Sequence, residues 1–438
     1  MLNEEHKMER TAYQELVEWK NRKNRKPLIL SGARQVGKTW LLKEFGSKEF
    51  ENFAYINCDD TPEMKTAFSD FDTARLIRTF SSLSGVEIKP AKTLIILDEV
   101  QEAPLTLTSL KYFCENAPEY HIAVAGSLLG IGLHEGTGFP VGKVDEINLY
   151  PLSFEEFCNA LGKKLLIEQI KEHRWNELSS LSHTFIELLR QYYFVGGMPA
   201  VVKDYCENQN LKAVRDIQNQ ILSDYKRDFS KHVPNETLPK VNIVWEAIPS
   251  QLAKKNKKFV YSAIKKSARA KEFETAIQWL LDAGLVYKVL RVTKIEKPLK
   301  FYEDFGTFKL FILDLGLLGA MVQVSAKDVL VNNNAFTEYK GCFTEQYVLQ
   351  ELVTMRKNIY YYSKENSTLE IDFIIQKDEL YPIEVKAEEN LRSKRLKSVY
   401  DANPALKPCR FSMADYREQD WFTNVPLYLA REWLKVME

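Results

Sequence analysis

Eight consecutive residues constrain the fold of this chain more than any others. Gly32-Ala33-Arg34-Gln35-Val36-Gly37-Lys38-Thr39 is an uninterrupted phosphate-binding loop. Such a loop works where a strand leads into it and a helix leads out of it. Both neighbours are written in the sequence. Pro27-Leu28-Ile29-Leu30-Ser31 is a short apolar strand, and Trp40-Leu41-Leu42-Lys43-Glu44-Phe45 continues as a helix.

The residue types set the expected chemistry. Gly32 and Gly37 allow turns closed to other residues and bring backbone N–H groups near phosphate oxygens. The helix starting near Lys38 directs its positive end at the anion. Lys38 is expected to reach the β- and γ-phosphates of ATP, and Thr39 to place its hydroxyl on Mg²⁺. Leu94-Ile95-Ile96-Leu97-Asp98-Glu99 supplies what the loop lacks. Four apolar residues end in Asp98, a candidate magnesium-shell carboxylate, and Glu99 is the candidate base that orients or deprotonates the attacking water.

Composition bounds the rest. A chain of 438 residues calls for several domains, and 45% hydrophobic with 27% charged residues is a globular composition. Sixty basic residues balance sixty acidic ones, so any attraction to nucleic acid must be local. Cys58, Cys114, Cys158, Cys206, Cys342 and Cys409 form no C-x-x-C pair, which argues for reduced thiols and against structural zinc. No apolar run reaches the length that spans a bilayer, and the N-terminus is charged. The expectation is a cytoplasmic protein with no membrane partner.

Strand candidates Leu28–Ser31, Asn52–Asn57, Thr93–Leu97, Ile122–Ala125 and Asp145–Leu149 alternate with helical stretches, which predicts a parallel sheet covered on both faces. His6 to Lys20 reads as an amphipathic helix. Residues 152–225 read as helical, broken at Gly196-Gly197-Met198-Pro199. Phe259–Ile264 and Lys271–Asp282 are further helical candidates. Leu285–Val289 and Leu299–Glu303 read as a hairpin around Pro298, giving the outline of a winged helix. Lys254 to Lys271 holds eight basic residues and no acid. Lys265, Lys266 and Arg269 are the candidate DNA contacts, against the plainer reading of a solvated helix face.

A second candidate site lies near the end. Leu369–Ile375 and Leu380–Lys386 read as paired strands, with Glu384 and Lys386 on one face. Asp372 sits among Ile and Phe, where a carboxylate needs a compensating cation. A helix from Phe343 to Leu349 would aim Glu345 at the same place. Glu345, Asp372, Glu384 and Lys386 resemble the metal site of PD-(D/E)XK nucleases. By that resemblance Asp372 and Glu384 would hold Mg²⁺, Lys386 would polarise water and Glu345 would assist. The alternative is an ordinary cross-strand ion pair.

Taken together, the phosphate loop, Leu97-Asp98-Glu99-Val100-Gln101, Leu149-Tyr150-Pro151-Leu152-Ser153-Phe154-Glu155-Glu156-Phe157 and Ile383-Glu384-Val385-Lys386 resemble a prokaryotic family of AAA-type ATPases with a C-terminal domain of unknown function. Tyr193–Pro199 and Phe311–Leu317 add to the resemblance, which runs from about residue 8 to 400. It implies a multidomain α/β chain. A P-loop parallel-sheet ATPase core would cover 1–160, a helical lid 161–235, a winged-helix-like module 236–320 and a restriction-nuclease-like α/β domain 321–438. It also implies that Ser127, in Ala125-Gly126-Ser127, faces the γ-phosphate or water. Many relatives carry Gly-Arg where this chain has Gly142-Lys143, so Arg34 and Arg227 stand beside Lys143 as candidates for stabilising transferred charge.

Three functions fit these residues. One is an ATP-hydrolysing, DNA-associated protein whose nucleotide state is coupled to the C-terminal domain. Another is a nucleotide-dependent switch with a protein partner, in which the nuclease-like fold is a scaffold. The last is an ATP-gated, metal-dependent nuclease. A homo-oligomer is compatible with each.

Overall fold

The computed structural model describes residues 8–127, 138–254, 257–263, 270–330, 337–355, 358–365, 367–387 and 393–437. Two compact units emerge. The N-terminal unit is Glu9–Tyr150 with Gln278–Leu285, and the C-terminal unit is Pro151–Ile277 with Val286–Glu438.

In the N-terminal unit β1 (Leu28–Ser31), β2 (Asn52–Asn57), β3 (Thr93–Asp98), β4 (His121–Ala125) and β5 (Asp145–Asn148) form one sheet in the order β2-β3-β4-β1-β5. Every pairing is parallel. The central strands β1, β3 and β4 are short apolar runs buried on both faces, as parallel sheets require, while the edge strands β2 and β5 are only partly buried. On one face Ile29, Ile95, Leu97 and Val124 pack with Leu76 and Phe80 of α3 (Thr73–Ser84) and Leu110 and Phe113 of α4 (Leu105–Asn116). Leu28, Leu30, Leu94 and Ile96, of opposite parity, are equally buried. In α1 (Thr11–Asn21) Tyr13 and Trp19 set their rings against Phe45 of α2 (Lys38–Glu49). The strand order puts β4 between β1 and β3, so the loop after β1, the end of β4 and Asp98 lie side by side at the carboxyl edge.

The C-terminal unit opens with helices, including Phe154–Ala160, Ser182–Val195 and Leu211–His232. Ser153 and Glu156 form a capping box on the first of these. The break at 196–199 falls where expected. Gly196 has φ +75°, and a Cβ on Gly197 would lie 2.1 Å from Leu152 O, so neither position accepts a side chain. An eight-stranded mixed sheet follows, from β6 (Val286–Val292), β7 (Glu303–Ile312), β8 (Ile359–Ser363), β9 (Glu370–Gln376), β10 (Leu380–Val385), β11 (Cys409–Ser412), β12 (Arg417–Glu418) and β13 (Thr423–Pro426). Its order is β12-β13-β11-β10-β9-β8-β6-β7.

Two local expectations are corrected here. Phe259 does not begin a helix. Its N–H donates to Phe308 O at 2.9 Å and its ring stacks on that of Phe308, and among the described residues of this stretch Tyr261–Ala263 forms a 3-10 turn. The hairpin's second strand starts at Glu303 rather than Leu299, because Leu299–Tyr302 turns inward as a 3-10 helix that buries Leu299 with Ile371, Ile374 and Leu396. The hairpin also belongs to a larger sheet. β6 pairs in parallel with β8, so β6 and β7 share a sheet with the strands that carry Asp372 and Glu384. No helix among the described residues is long and apolar enough to cross a membrane.

Candidate functional site

The phosphate loop has the geometry its glycines demand. Gly32 has φ +149°, and a Cβ there would lie 2.2 Å from Leu149 O. Gly37 caps α2 in the left-handed region, φ +95°. Gln35, at φ +67°, takes a conformation that L-residues rarely adopt. Arg10, which the sequence did not single out, braces the loop: its guanidinium donates to Val36 O at 3.0 Å and to Tyr150 O at 2.5 Å. Gly284 approaches from the returning segment 278–285. A Cβ on it would come within 3.3 Å of Ala33 N, and its φ is +69°.

Lys38 is buried, and its ammonium donates to Gly32 O and Ala33 O, each at 2.8 Å. Burial lowers its pKa to about 8, opposed by the charges of Glu99 and Asp98. The lysine is therefore held inside the loop by weak neutral acceptors that an anion can replace.

Thr39 and Asp98 meet. The Thr39 hydroxyl donates to Asp98 Oδ2 at 2.6 Å, and the Tyr55 hydroxyl donates to the same oxygen at 3.2 Å. Asp98 Oδ1 accepts from Glu99 N at 3.0 Å. Glu99 leaves the strand in the left-handed region, φ +49°, and Gln101 Nε2 donates to its Oε2 at 2.6 Å. A threonine hydroxyl touching a carboxylate is a pair of hard oxygen donors already in place, so these residues fit Mg²⁺. Ser127 is buried just beyond the end of β4. Lys143 is half-buried and pairs with Glu115 at 2.9 Å, Arg227 pairs with Asp224 at 3.0 Å, and Arg34 is exposed.

The C-terminal acids sit in a different environment. Glu345 and Asp372 are brought together as electrostatic neighbours. Two lysines come with them. Lys257 forms a tight ion pair with Glu345 Oε1, and Lys309, fully buried, lies 3.7 Å from Glu345 Oε2 and 2.6 Å from Glu370 Oε1. Burial pushes both acids upward. At Glu345 the two ammoniums outweigh it and hold the carboxylate below its ordinary pKa. At Asp372 burial, reinforced by Glu345, prevails and lifts the pKa to about 7. Asp372 also accepts from Val385 N at 2.8 Å. Glu384 pairs instead with Lys386 at 2.9 Å, and its Oε2 is buried without a hydrogen bond. Among the described residues no three His, Cys, Asp or Glu side chains converge as a metal site. Lys265, Lys266 and Arg269 lie outside the described residues.

Tyr55, Lys257 and Lys309 were not predicted. Lys309 left one signal, a lone cation inside the apolar run Phe308-Lys309-Leu310-Phe311-Ile312.

Residues 24–158 match the AAA domain family, while 186–328 and 340–429 match two domains of unknown function, DUF8612 and DUF4143. No curated protein matches the chain. Among solved structures, the chain is similar to the Walker-type ATPase PABY2304 of Pyrococcus abyssi, at 14% identity over 72% of this chain and 96% of that one, TM-score 0.45. It is also similar to the Aeropyrum pernix ORC1 protein in complex with DNA, at 12% identity over 74% and 93%, TM-score 0.28. The Aeropyrum pernix ORC2 protein in its ADP form is a third, at 14% identity over 73% and 93%, TM-score 0.31. The family match and the parallel five-stranded sheet make residues 24–158 an AAA-type P-loop ATPase domain.

Proposed function

We propose that the AAA-type domain at residues 24–158 binds and hydrolyses ATP with Mg²⁺, and that its nucleotide state is relayed to the C-terminal unit of a DNA-associated protein. The observation that carries the hydrolytic part is the 2.6 Å hydrogen bond from Thr39 to Asp98, with Glu99 next in the chain. Lys38 exchanges Gly32 O and Ala33 O for the β- and γ-phosphate oxygens, an exchange of neutral acceptors for charged ones. The N–H groups of the loop and of the first turn of α2 take the remaining phosphate oxygens. Thr39 and Asp98 would hold Mg²⁺, which when bound neutralises charge on the β- and γ-oxygens. Glu99, turned out of the strand and held by Gln101, accepts the proton of the attacking water. Ser127 positions that water or the γ-phosphate.

Asp98→Asn tests this directly. ATP affinity measured without Mg²⁺ stays within a few-fold of wild type, while Mg²⁺-dependent turnover falls by about 100-fold or more. Undiminished turnover in this variant would overturn the assignment. DNA association is supported by the basic run 254–271. Retention of labelled duplex that survives Lys265→Glu, Lys266→Glu and Arg269→Glu together would remove those contacts.

One observation favours the scaffold reading of the C-terminal half over a nuclease. Lys257 and Lys309 occupy the surroundings of Glu345 and Asp372 that a metal ion would need. On this reading the unit serves nucleotide-dependent protein interaction. Mg²⁺-dependent nicking of DNA that is abolished by Asp372→Ala would refute it.

A further inference from the structure

We infer that a cavity of about 690 Å³ in the C-terminal unit, at the joint between β8 and β9, binds a phosphate ester of nucleotide size. The volume falls within the range of about 300–1,000 Å³ that small-molecule sites occupy, and a bare inorganic ion would leave most of it empty. The lining is cationic. Lys258, Arg291, Lys364 and Arg395 face Glu365 and Glu370. Both acids are already answered: Lys309 lies 2.6 Å from Glu370, and Arg291 bridges Asp304 at 2.7 Å and Glu365 at 3.2 Å. That leaves Lys258, Lys364 and Arg395, and among the described residues none of the three has a carboxylate partner. Three unanswered cations around one polar cavity are a concentrated positive site in a chain whose net charge is zero.

A separate observation points to the same ligand. Tyr361 lines the cavity and is 1% exposed, yet its hydroxyl makes no hydrogen bond. Buried hydroxyls are ordinarily satisfied. The Lys309 ammonium lies over its ring, 4.7 Å from the centroid, so the ring is braced. Cations that reach one cavity from different elements, with an unpartnered hydroxyl buried in its wall, suit an anion with several oxygens at different angles, as a phosphate offers and a single carboxylate does not. Lys258 comes from the basic run 254–271, so part of that run faces this cavity instead of a solvated helix face.

The inference is independent of the ATPase assignment and is tested where the phosphate loop cannot contribute. In full-length Lys38→Ala protein, calorimetric titration with AMP and with a 5′-phosphorylated trinucleotide gives one site per chain. The 5′-hydroxyl trinucleotide binds about tenfold or more weakly. Tighter binding of the phosphorylated trinucleotide than of AMP assigns the site to nucleic-acid ends, and equal binding assigns it to free nucleotides. Lys364→Gln, at an exposed position that does not threaten folding, weakens binding several-fold. Arg395→Gln and Tyr361→Phe each weaken it by about tenfold. Absence of binding in the Lys38→Ala chain, or affinities unchanged in all three lining variants, overturns the inference.

Discussion

The two acid pairs of this molecule, Asp98–Glu99 at the carboxyl end of β3 and Glu345–Asp372 between a helix and the interior strand β9, differ in what neutralises them. Asp98 is satisfied by two hydroxyls and a backbone N–H, all uncharged and all able to yield to a cation. Glu345 is paired with the ammoniums of Lys257 and Lys309, whose charge also reaches Asp372. A carboxylate with neutral partners in the folded protein retains its capacity to bind metal. One with resident lysines has had that capacity answered by the chain itself. The character of each site is set by its neighbours, since the acids are of the same kind.

The comparison can be broken most severely at Lys309. Lys309→Met leaves the buried Glu345 and the half-buried Glu370 without that cation and is expected to destabilise the C-terminal unit by about 3–5 kcal/mol. Urea unfolding measures this, and Lys309→Met combined with Glu345→Gln should recover part of the loss. Thr39→Val, which removes a neutral partner of Asp98, should cost only about 1 kcal/mol in the same assay. Equal losses in the two units would erase the distinction.

A smaller effect is expected at Gly284. With φ +69° and Ala33 N close by, Gly284→Ala should cost about 1 kcal/mol and weaken ATP binding more than Gly85→Ala, where a Cβ meets nothing within 4 Å. Equal ATP affinities in the two variants would remove the returning segment from the nucleotide site.

An effect of a different kind concerns acid. His121 is buried between Trp19 and Phe50, and burial lowers its pKa from 6.5 to about 4. The unfolded chain therefore takes up this proton first. Stability of the N-terminal unit should decline as pH falls from about 6.5 toward 4, and be level with respect to this group above that window. His121→Phe should flatten that slope in melting curves, and an unchanged slope would show that other groups carry it.

Sequence was most informative where local pattern and tertiary demand coincide. The central strands β1, β3 and β4 of the first sheet are apolar runs bounded by turn residues, and the loop between β1 and α2 needs glycines that only one arrangement uses. Legibility failed where a long-range partner decides. Arg10 reaches Val36 and Tyr150 across the unit, and nothing near Arg10 in the chain announces it. Phe259 was drawn out of its helical pattern by Phe308, some fifty residues on. The spacing of Glu384 and Lys386 correctly suggests a shared strand face. It says nothing about Lys257 and Lys309 arriving from other elements to pair with Glu345 beside Asp372. The apolar neighbours of Leu299 suit a strand, but the core under β9 claims it instead.

The central claim is that the phosphate loop and Asp98–Glu99 form one hydrolytic site, and Glu99→Gln tests it most directly. Single-turnover hydrolysis of ATP should fall by about 100-fold or more, with ATP affinity measured in parallel and essentially unchanged, because the amide preserves the side chain's shape while abolishing its capacity to accept a proton. Hydrolysis at the wild-type rate by a Glu99→Gln chain that binds ATP normally would contradict the account.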